Sequence, residues 1–500
     1  MLRSEQQKDL LRLVTAGSVD DGKSTLIGRL LYDSQSVYED QLHAVQRASR
    51  GGLELALLTD GLRAEREQGI TIDVAYRYFS TAKRKFILAD TPGHEQYTRN
   101  MATGASNADL AMLLVDASRG IQRQSKRHAY IVALLGIRHL VVLINKMDLV
   151  DYSEQAFRNL QNELLAAIDQ LDFESVEFFP VSASSGMNVV HRSSLTPWFL
   201  GPPLLEYLES VGVDASEHDK PFRFPVQLVQ RTDKFRGYSG QIAAGSIAVG
   251  DSVSVLPSMR STRVKAIVGF EGELERAVAP QSITITVEDD LDISRGDVFA
   301  APESLPFRTR NFKAQTIWFS ERQLSSHGRY LLKHTTQMTP AEIVIESKMD
   351  IASLSPFPAD SLQINDIGVV EIETSRPLLF DSYKRNRVTG SFILIDPATN
   401  DTVAAGMILE PVRASLENTH GMVASMNRDD PRLQWLMDSL HSFPKSNVAV
   451  LFNRNAKAIG LLTNAGIHVV VVDNAAENQQ ERSNDFDELV SALKPGENDV

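Results

Sequence analysis

Apolar and polar positions follow two different patterns along the chain. Between residues 11 and 190, continuous apolar runs such as KFILAD and HLVVLI alternate with amphipathic stretches, including residues 98–107 and 122–136. Continuous apolar runs are typical of strands that are buried on both faces, and the amphipathic periodicity is typical of helices. This part of the chain therefore predicts an α/β domain with a parallel sheet and helical crossovers.

The pattern changes after a linker at residues 191–221, which is rich in Pro, Gly and Ser around one short helix. From residue 222 to about 412, short runs of Val, Ile and Thr are broken by turn residues, which predicts two β-barrels with a joint near residues 304–311. Residues 414–500 again alternate strand, helix and strand before an acidic tail. The predicted domains are an α/β domain at 1–215, β-barrels at 216–306 and 307–413, and a small α/β C-terminal extension at 414–500.

Composition narrows the class of protein. A length of 500 residues fits three or four domains, and the absence of cysteine excludes disulfides and thiolate chemistry. The net charge of −13 argues against broad non-specific binding of nucleic acid. Because neither a secretory leader nor an apolar run of about 18 residues is present, we predict a cytoplasmic protein without membrane association.

The stretch GSVDDGKST, residues 17–25, follows a predicted strand and precedes a predicted helix. It fits GxxxxGK[ST], the spacing with which backbone N–H groups and a helix N-terminus surround a phosphate. Lys23 is placed to reach the β- and γ-phosphates, and the Ser24 hydroxyl is placed to bind Mg²⁺. The stretch predicts a phosphate-binding loop (P-loop) for a nucleoside triphosphate and leaves the base open.

The motif DTPG, residues 90–93, ends the predicted strand KFILAD. Asp90 is placed there to hold Mg²⁺ through water, and the Gly93 amide is placed to meet the γ-phosphate. His94 follows directly and is predicted to orient the attacking water. Thr71, in the preceding loop, is predicted to ligate Mg²⁺ while the γ-phosphate is present and to release it afterwards.

The motif NKMD, residues 145–148, identifies the base. The Asp148 carboxylate can accept from the N1–H and N2–H₂ groups of guanine, a donor pair that adenine lacks. We expect Asn145 to tie this loop to the P-loop, the Lys146 stem to cover the base, and a backbone N–H of residues 182–184 to donate to guanine O6. The predicted nucleotide is therefore GTP.

These motifs each stand at the predicted carboxyl end of a strand, the edge at which open α/β sheets bind ligands. The predicted catalytic residues are Lys23, Thr71 and His94, and the predicted metal ligands are Ser24, Thr71 and Asp90. The predicted nucleotide-binding residues are Gly17, Ser18, Val19, Asp20, Asp21, Gly22, Lys23, Ser24, Thr25, Asp90, Thr91, Pro92, Gly93, His94, Asn145, Lys146, Met147, Asp148, Ser182, Ala183 and Ser184.

The strings REQGIT and DTPGHEQYTRNM resemble the translation-factor class of GTPases, in which a GTPase domain precedes two β-barrels. Longer strings, including GSVDDGKSTLIGRLLYDS and RPLLFDSYKRNRVTGSFILIDPATNDTVAAGMI, resemble the GTP-hydrolysing large subunits of bacterial ATP sulfurylases. The resemblance covers about residues 10–412. It implies a P-loop GTPase domain followed by two β-barrels, with the family's GTP-site residues at Asp20, Lys23, Ser24, Thr71, Asp90, Gly93, His94, Asn145, Lys146 and Asp148.

The same resemblance implies a partner, a smaller catalytic subunit that makes adenylylsulfate and pyrophosphate from ATP and sulfate. GTP hydrolysis would drive that uphill reaction within a heterodimer or a higher assembly. The main alternative is a translation-type factor that delivers aminoacyl-tRNA, although Asp21 and Ser24 stand where bacterial elongation factors carry His and Thr. A further alternative makes this chain itself the adenylyltransferase, but the barrels offer no phosphate loop for ATP.

The C-terminal extension is a separate question. Some members of the resembling family carry a fused adenylylsulfate kinase there, and residues 447–474 faintly resemble its start. GxxxxGK[ST] occurs only at residues 17–24, so kinase activity is not expected. A degenerate kinase remnant, a docking extension and a small structural appendage all stay open.

Overall fold

The computed structural model describes three strands between residues 423 and 473 and the stretches 9–34, 55–58, 71–212, 218–232, 235–351 and 353–412. The chain divides into two compact units, Met1–Pro411 and Val412–Val500. The first unit contains an α/β domain and two β-barrels.

Six strands form the sheet of the α/β domain in the order β2-β3-β1-β4-β5-β6. They are β1 (Leu10–Gly17), β2 (Ala75–Ser80), β3 (Lys85–Asp90), β4 (Leu110–Asp116), β5 (His139–Asn145) and β6 (Ser175–Pro180). All seven residues of the central strand β4 are buried, as the continuous apolar run predicts. Five strands are parallel, so their carboxyl ends share one edge of the sheet.

Strand β2 is an exception to the predicted parallel sheet. It pairs antiparallel with β3 and joins it through a short turn at residues 81–84. Side chains of β2 are half-buried or exposed except Phe79, which stacks on Phe86 of β3 with ring centroids 4.6 Å apart. An edge strand that is covered on one face only can pair antiparallel, because it needs no crossover helix.

Helices connect the parallel strands and bury apolar stripes against the sheet. They are α1 (Lys23–Asp33), α2 (Thr98–Ala105), α3 (Arg123–Leu134), α4 (Glu154–Ile168) and α5 (Leu204–Ser210), with 3-10 turns at Leu55–Leu58, Glu95–Tyr97 and Met147–Val150. The Ser153 hydroxyl caps α4 by accepting from the Ala156 N–H, and the helix buries Phe157, Leu160 and Leu164 at helical spacing. Within the described residues, none of the helices has the length and apolar character needed to cross a bilayer.

The first barrel is an eight-stranded antiparallel sheet with a small two-stranded ribbon, β10-β14. Its strands are β7 (Arg223–Pro225), β8 (Leu228–Thr232), β9 (Phe235–Gln241), β10 (Ser246–Ala248), β11 (Ser252–Leu256), β12 (Arg260–Gly269), β13 (Gly272–Leu274), β14 (Arg276–Val278), β15 (Ser282–Val287) and β16 (Val298–Ala300). The order is β7-β16-β11-β12-β15-β9-β8, with β13 paired to β12. Its core is built by inward side chains such as Phe224, Tyr238 and Phe299.

The second barrel closes on itself because β19 pairs with both β24 and β20. Its strands are β17 (Phe307–Trp318), β18 (Leu324–Ser325), β19 (Gly328–His334), β20 (Gln337–Asp350), β21 (Ser355–Phe357), β22 (Ser361–Leu362), β23 (Ile367–Phe380), β24 (Ser391–Ile395) and β25 (Thr402–Pro411). The joint between the barrels is shorter than the predicted 304–311, because β17 already begins at Phe307, whose ring packs on Phe380. An α/β domain followed by two β-barrels is thus confirmed, and the boundaries assigned to individual domains stay predictions.

The segment 381–390 joins the three domains of the first unit. Asp381 accepts two hydrogen bonds from the buried Arg223 guanidinium of the first barrel, at 2.9 and 3.0 Å. The Tyr383 hydroxyl donates to the Leu135 carbonyl at the end of α3, at 3.0 Å. Buried, bidentate ion pairs fix geometry strongly, because removing either partner leaves an uncompensated charge. The ion pair therefore fixes the two barrels to each other, and the Tyr383 hydrogen bond links the second barrel to the α/β domain.

The second unit contains three parallel strands in the order β26-β28-β27. These are β26 (Val423–Asn427), β27 (Val448–Leu451) and β28 (His468–Asp473). The two strands predicted from NVAVLFNRNAKAIGLLTNAGIHVVVVDN are present as β27 and β28, and the helix predicted between them lies outside the described residues.

Candidate functional site

The loop between β1 and α1 is shaped by two residues with positive φ, Asp20 at 67° and Gly22 at 94°. A Cβ at Gly22 would lie 2.4 Å from the Nδ2 atom of Asn145, so only glycine fits between α1 and the loop after β5. Helix α1 begins directly afterwards at Lys23, which directs its first N–H groups towards the loop. The predicted phosphate cradle therefore has its strand–loop–helix context.

Lys23 is buried against the P-loop itself. Its Nζ atom donates to the carbonyl oxygens of Gly17 and Ser18, at 3.0 and 2.7 Å. Burial lowers the pKa of Lys23, and the carboxylates of Asp21 and Asp90 oppose this shift. Anionic phosphate oxygens are stronger acceptors for this ammonium than two neutral carbonyls. The site is therefore poised to exchange those carbonyl contacts for a nucleotide.

Asp21 is the second buried charge of the loop. Its Oδ2 atom accepts from the Ser18 N–H at 2.6 Å, and the side chain is almost fully buried. Burial raises the pKa of Asp21 from 3.8 to about 6, although Lys23 and the Ser18 N–H lower it. Asp21 is therefore protonated more readily in the folded protein than in the unfolded chain.

We expect Asp21→Asn to stabilise the nucleotide-free protein at pH 7.5. A carboxyl with a raised folded-state pKa binds more protons in the folded state, so stability falls as pH rises between about 4 and 6. The shift corresponds to roughly 3 kcal/mol of unfolding free energy at neutral pH. Denaturant unfolding at pH 7.5, 6 and 5 measures the unfolding free energy of the variant relative to that of the wild type. The stabilisation should fall at pH 5 to about half its value at pH 7.5.

The matched control is Asp20→Asn, one residue earlier. Asp20 is exposed, and its only ion pair among the described residues joins it to Arg119 at 3.5 Å. Exposed pairs of this kind contribute at most about 1 kcal/mol. A gain for Asp21→Asn that is equal at all three pH values would contradict the assignment of its pKa.

Strand β3 places Asp90 and Gly93 beside the P-loop. Asp90 is buried, and its Oδ1 atom accepts from the Thr15 hydroxyl at 3.2 Å. A Cβ at Gly93 would lie 2.5 Å from Lys23 Nζ and 3.0 Å from the Gly17 carbonyl oxygen. His94, in contrast, is exposed, and its ring stands edge-on to Tyr97 with centroids 6.4 Å apart. The structure brings Gly93 to Lys23 and leaves the His94 side chain in solvent.

Asn145 joins three loops at the sheet edge. Its Nδ2 group donates to the Asp21 carbonyl at 2.7 Å, and its Oδ1 atom accepts from the Ala183 N–H at 2.9 Å. Arg29 of α1 supports the same arrangement, because its guanidinium donates to the carbonyls of Ala183 and Ser184. The loops that begin at residues 17, 145 and 182 therefore form one connected rim.

The remaining residues of NKMD differ in exposure. Met147 is buried beneath the rim, whereas Asp148 is exposed in the first turn of a 3-10 helix. Lys146 Nζ lies 2.8 Å from Asp116 Oδ2 at the end of β4. Burial tends to raise the pKa of Asp116, but hydrogen bonds from Lys146 and Ser118 outweigh it and lower the pKa below its usual range. This ion pair holds the Lys146 stem along the rim, next to Asp148.

Sequence reasoning misses one buried contact of the P-loop. His128 of α3 is fully buried, and its Nδ1 atom accepts from the Gly17 N–H at 2.9 Å. Burial lowers the pKa of His128 to about 3, so the ring is neutral and carries its proton on Nε2. A His on the apolar face of a helix is usually structural, and only the helical spacing of Ser125 and His128 hints at a shared target: the Ser125 and Ser18 hydroxyl oxygens lie 3.4 Å apart.

Other predicted residues occupy the same edge or its approach. Ser24 and Thr25 lie in the first turn of α1 and are half-buried, as is Val19 in the loop. Thr91 and Pro92 are buried after β3. Thr71 lies at the start of the described stretch that leads into β2, in non-helical backbone. Its predicted contact with a metal stays a prediction, as do the catalytic and ligand-binding roles of the other residues.

The fold and this connected rim define a P-loop GTPase of the translation-factor class. The chain matches the family described as "Elongation factor Tu GTP binding domain" over residues 8–219 and the family described as "GTP-eEF1A C-terminal domain-like" over residues 311–409. It therefore carries a GTP-binding domain, as the order of the motifs predicts.

Full-length relatives narrow the class further. The chain is 51% identical to "Sulfate adenylyltransferase subunit 1" of Alteromonas mediterranea, over 84% of this chain and 90% of the relative. It is 50% identical to the protein of the same name from Francisella tularensis subsp. novicida, over 83% and 90%. It is also 51% identical to "Bifunctional enzyme CysN/CysC" of Rhodopirellula baltica, over 82% of this chain and 65% of that protein. The chain belongs to the sulfate adenylyltransferase subunit 1 family, which confirms the resemblance predicted from the sequence strings quoted above.

Proposed function

We propose that this chain is the GTP-hydrolysing subunit of a two-component sulfate adenylyltransferase. Its GTP hydrolysis drives the formation of adenylylsulfate and pyrophosphate from ATP and sulfate on a smaller catalytic partner. The observation that supports this most is a complete GTPase rim within a chain about half identical to sulfate adenylyltransferase subunit 1 proteins. The partner and the coupling belong to the proposal.

The GTP-binding steps follow from the rim. Lys23 leaves the Gly17 and Ser18 carbonyls and donates to the β- and γ-phosphates, whose charge outweighs the lost neutral contacts. Gly93 allows close approach of its backbone to the γ-phosphate. Asp148 accepts from guanine, while a backbone N–H of residues 182–184 donates to O6. Asn145 keeps these groups in register.

Mg²⁺ fits the donor set at the phosphate end of the rim. Hydroxyl and carboxylate oxygens are the ligands that Mg²⁺ prefers, and Ser24, Thr71 and Asp90 offer these groups. When bound, the ion would neutralise the charge that develops on the phosphates. His94 is exposed beside Gly93 and orients the attacking water in this proposal.

We expect adenylylsulfate synthesis by the reconstituted pair to depend on GTP and on His94. Adding the small catalytic subunit, ATP and sulfate should raise GTP hydrolysis, and adding GTP should raise adenylylsulfate formation. His94→Ala should lower GTP hydrolysis roughly 100-fold, because general catalysis of this kind contributes about 100-fold or more. Its affinity for GTP should stay close to that of the wild type.

Gln96→Ala is the control, because Gln96 is an exposed neighbour in the same turn. Absence of mutual stimulation in the reconstitution would contradict the proposed coupling. Tight binding of aminoacyl-tRNA in a filter assay would favour a translation-type factor. Adenylylsulfate formation by this chain alone would make it the adenylyltransferase itself.

The second unit takes no part in this chemistry in our proposal. The sequence of the second unit contains no GxxxxGK[ST] motif, so it offers no phosphate-binding loop for a kinase reaction. We assign it a structural or docking role.

A further inference from the structure

A cleft of about 410 Å³ lies where the two barrels meet. None of the residues that line it belongs to the GTP rim. Three arginines line it: Arg295 from the loop before β16, Arg308 of β17 and Arg376 of β23. No carboxylate belongs to the lining. The three arginines therefore concentrate positive charge at this cleft, although the protein as a whole has a net charge of −13.

A strand irregularity and two hydrogen bonds shape the backbone around the cleft. Strands β17 and β23 shift register between Thr309 and Asn311, and the Thr374 hydroxyl donates to the Arg376 carbonyl at 2.8 Å within that irregular stretch. Gln337 Nε2 donates to the Gly296 carbonyl at 2.8 Å, which fixes one barrel to the other beside Arg295. Such a bulge is a common means of aiming side chains at a site.

The guanidinium groups at the cleft lack acidic partners within the described part of the chain. Arg295 Nη1 donates to the Gln227 carbonyl at 3.1 Å, and neither Arg308 nor Arg376 forms an ion pair there. Arginines that serve the fold alone are commonly paired with carboxylates. Three guanidiniums around one cleft without a carboxylate are instead arranged for an external anion.

A second observation points the same way. Thr336 lines this cleft, and its hydroxyl oxygen is buried without a hydrogen-bond partner among the residues that the structure describes. Buried hydroxyl groups are nearly always satisfied, and an unsatisfied one costs stability. A ligand oxygen in the cleft would supply the missing partner.

We propose that this cleft binds a compact organic anion that carries phosphate or sulfate groups and has the size of a nucleotide. The guanidiniums hold the anionic groups, and the Thr336 hydroxyl donates to one of their oxygens. Met338, Pro377 and Leu379 form an apolar side for the uncharged part of the ligand. A volume of about 410 Å³ lies in the range typical of small-molecule sites. The site is separate from the GTP rim and does not rest on the proposed function.

The test uses the full-length protein saturated with GDP, so that the GTP rim is occupied. Calorimetric titrations compare adenylylsulfate, ADP, inorganic sulfate and inorganic phosphate as probes. Binding of adenylylsulfate or ADP supports the nucleotide-sized ligand, and binding of the inorganic ions supports the anion site with a free ion as its source. No binding by any of them overturns the proposal.

Variants locate the bound probe. Arg308→Gln with Arg376→Gln should weaken binding at least ~100-fold, since a hydrogen bond to a charged group is worth about tenfold or more in affinity. Arg231→Gln with Arg329→Gln removes two exposed arginines of the same barrels outside the cleft and should change affinity little. Equal affinity in the two double variants overturns the proposal.

Thr336→Val separates binding from folding. It should weaken probe binding several-fold and leave ligand-free stability unchanged or higher, because the lost hydroxyl has no hydrogen-bond partner in the described part of the chain. Unchanged probe affinity, or a marked loss of ligand-free stability, would overturn the assignment of Thr336 to the ligand.

Discussion

Gly93→Ala is expected to lower GTP hydrolysis roughly 1000-fold and GTP affinity about 10- to 100-fold. A Cβ at this position would lie 2.5 Å from Lys23 Nζ, 2.9 Å from the Ser18 carbonyl carbon and 3.0 Å from the Gly17 carbonyl oxygen. The Lys23 amine can move, but the two backbone atoms belong to the P-loop and cannot move without distorting it. Lys23 would therefore be pushed from the place at which it meets phosphate, and its electrostatic stabilisation would be lost.

The measurement is single-turnover GTP hydrolysis together with competition against a fluorescent GDP analogue. Gly212→Ala serves as the matched control, because a Cβ there would lie within 4 Å of no atom of the described residues. Circular dichroism and thermal unfolding would show that both variants are folded. Wild-type hydrolysis by a folded Gly93→Ala protein would exclude the close approach of Gly93 to the phosphate end of the rim.

The position of the site at one edge of the sheet could be predicted from the sequence, because the carboxyl ends of parallel strands lie at the same edge. GSVDDGKST, DTPG, NKMD and SAS each follow a continuous apolar run, and strands β1, β3, β5 and β6 end at one edge. The contact of Asn145 with the P-loop follows from that placement. Motif spacing therefore carries three-dimensional information when the strands that bear the motifs are parallel.

Contacts between elements that are distant in the sequence could not be predicted in this way. His128 meets Gly17 only because helix α3 packs beneath the P-loop, and nothing in the local pattern distinguishes it from a core histidine. Arg308 and Arg376 line one cleft only because β17 pairs with β23, a strand about 60 residues later in the sequence. Strand β2 was missed because its side chains are mostly half-buried or exposed, which weakens the apolar signal on which strand prediction depends.

Helix α3 connects two of these long-range features. His128 contacts the P-loop, while Tyr130 and the Leu135 carbonyl at the helix end contact Gln315 and Tyr383 of the second barrel. The apolar core of the α/β domain continues into that barrel through residues such as Ile317 and Met407. Helix α3 thus contacts both the phosphate end of the GTP site and the second barrel. Any rearrangement of α3 must change its packing against the P-loop and against that barrel.

Asp148→Asn is expected to exchange the base preference of the site. The variant should bind GTP about 1000-fold or more weakly, because the amide presents an N–H where guanine also presents a donor. Xanthosine triphosphate should bind the variant well, since xanthine carries an oxygen in place of the guanine amino group and can accept that N–H. The wild type should show the opposite order of affinities.

Competition with both triphosphates measures this exchange, and Asp151→Asn is the matched control. Asp151 is exposed three residues later and has φ of 52°, a conformation that Asn tolerates. Its substitution should leave both affinities unchanged. If Asp148→Asn loses affinity for both triphosphates equally, the carboxylate supports the loop after β5 and does not read the base. If it loses affinity for neither, guanine is recognised elsewhere on the rim, and the assignment of GTP specificity to NKMD fails.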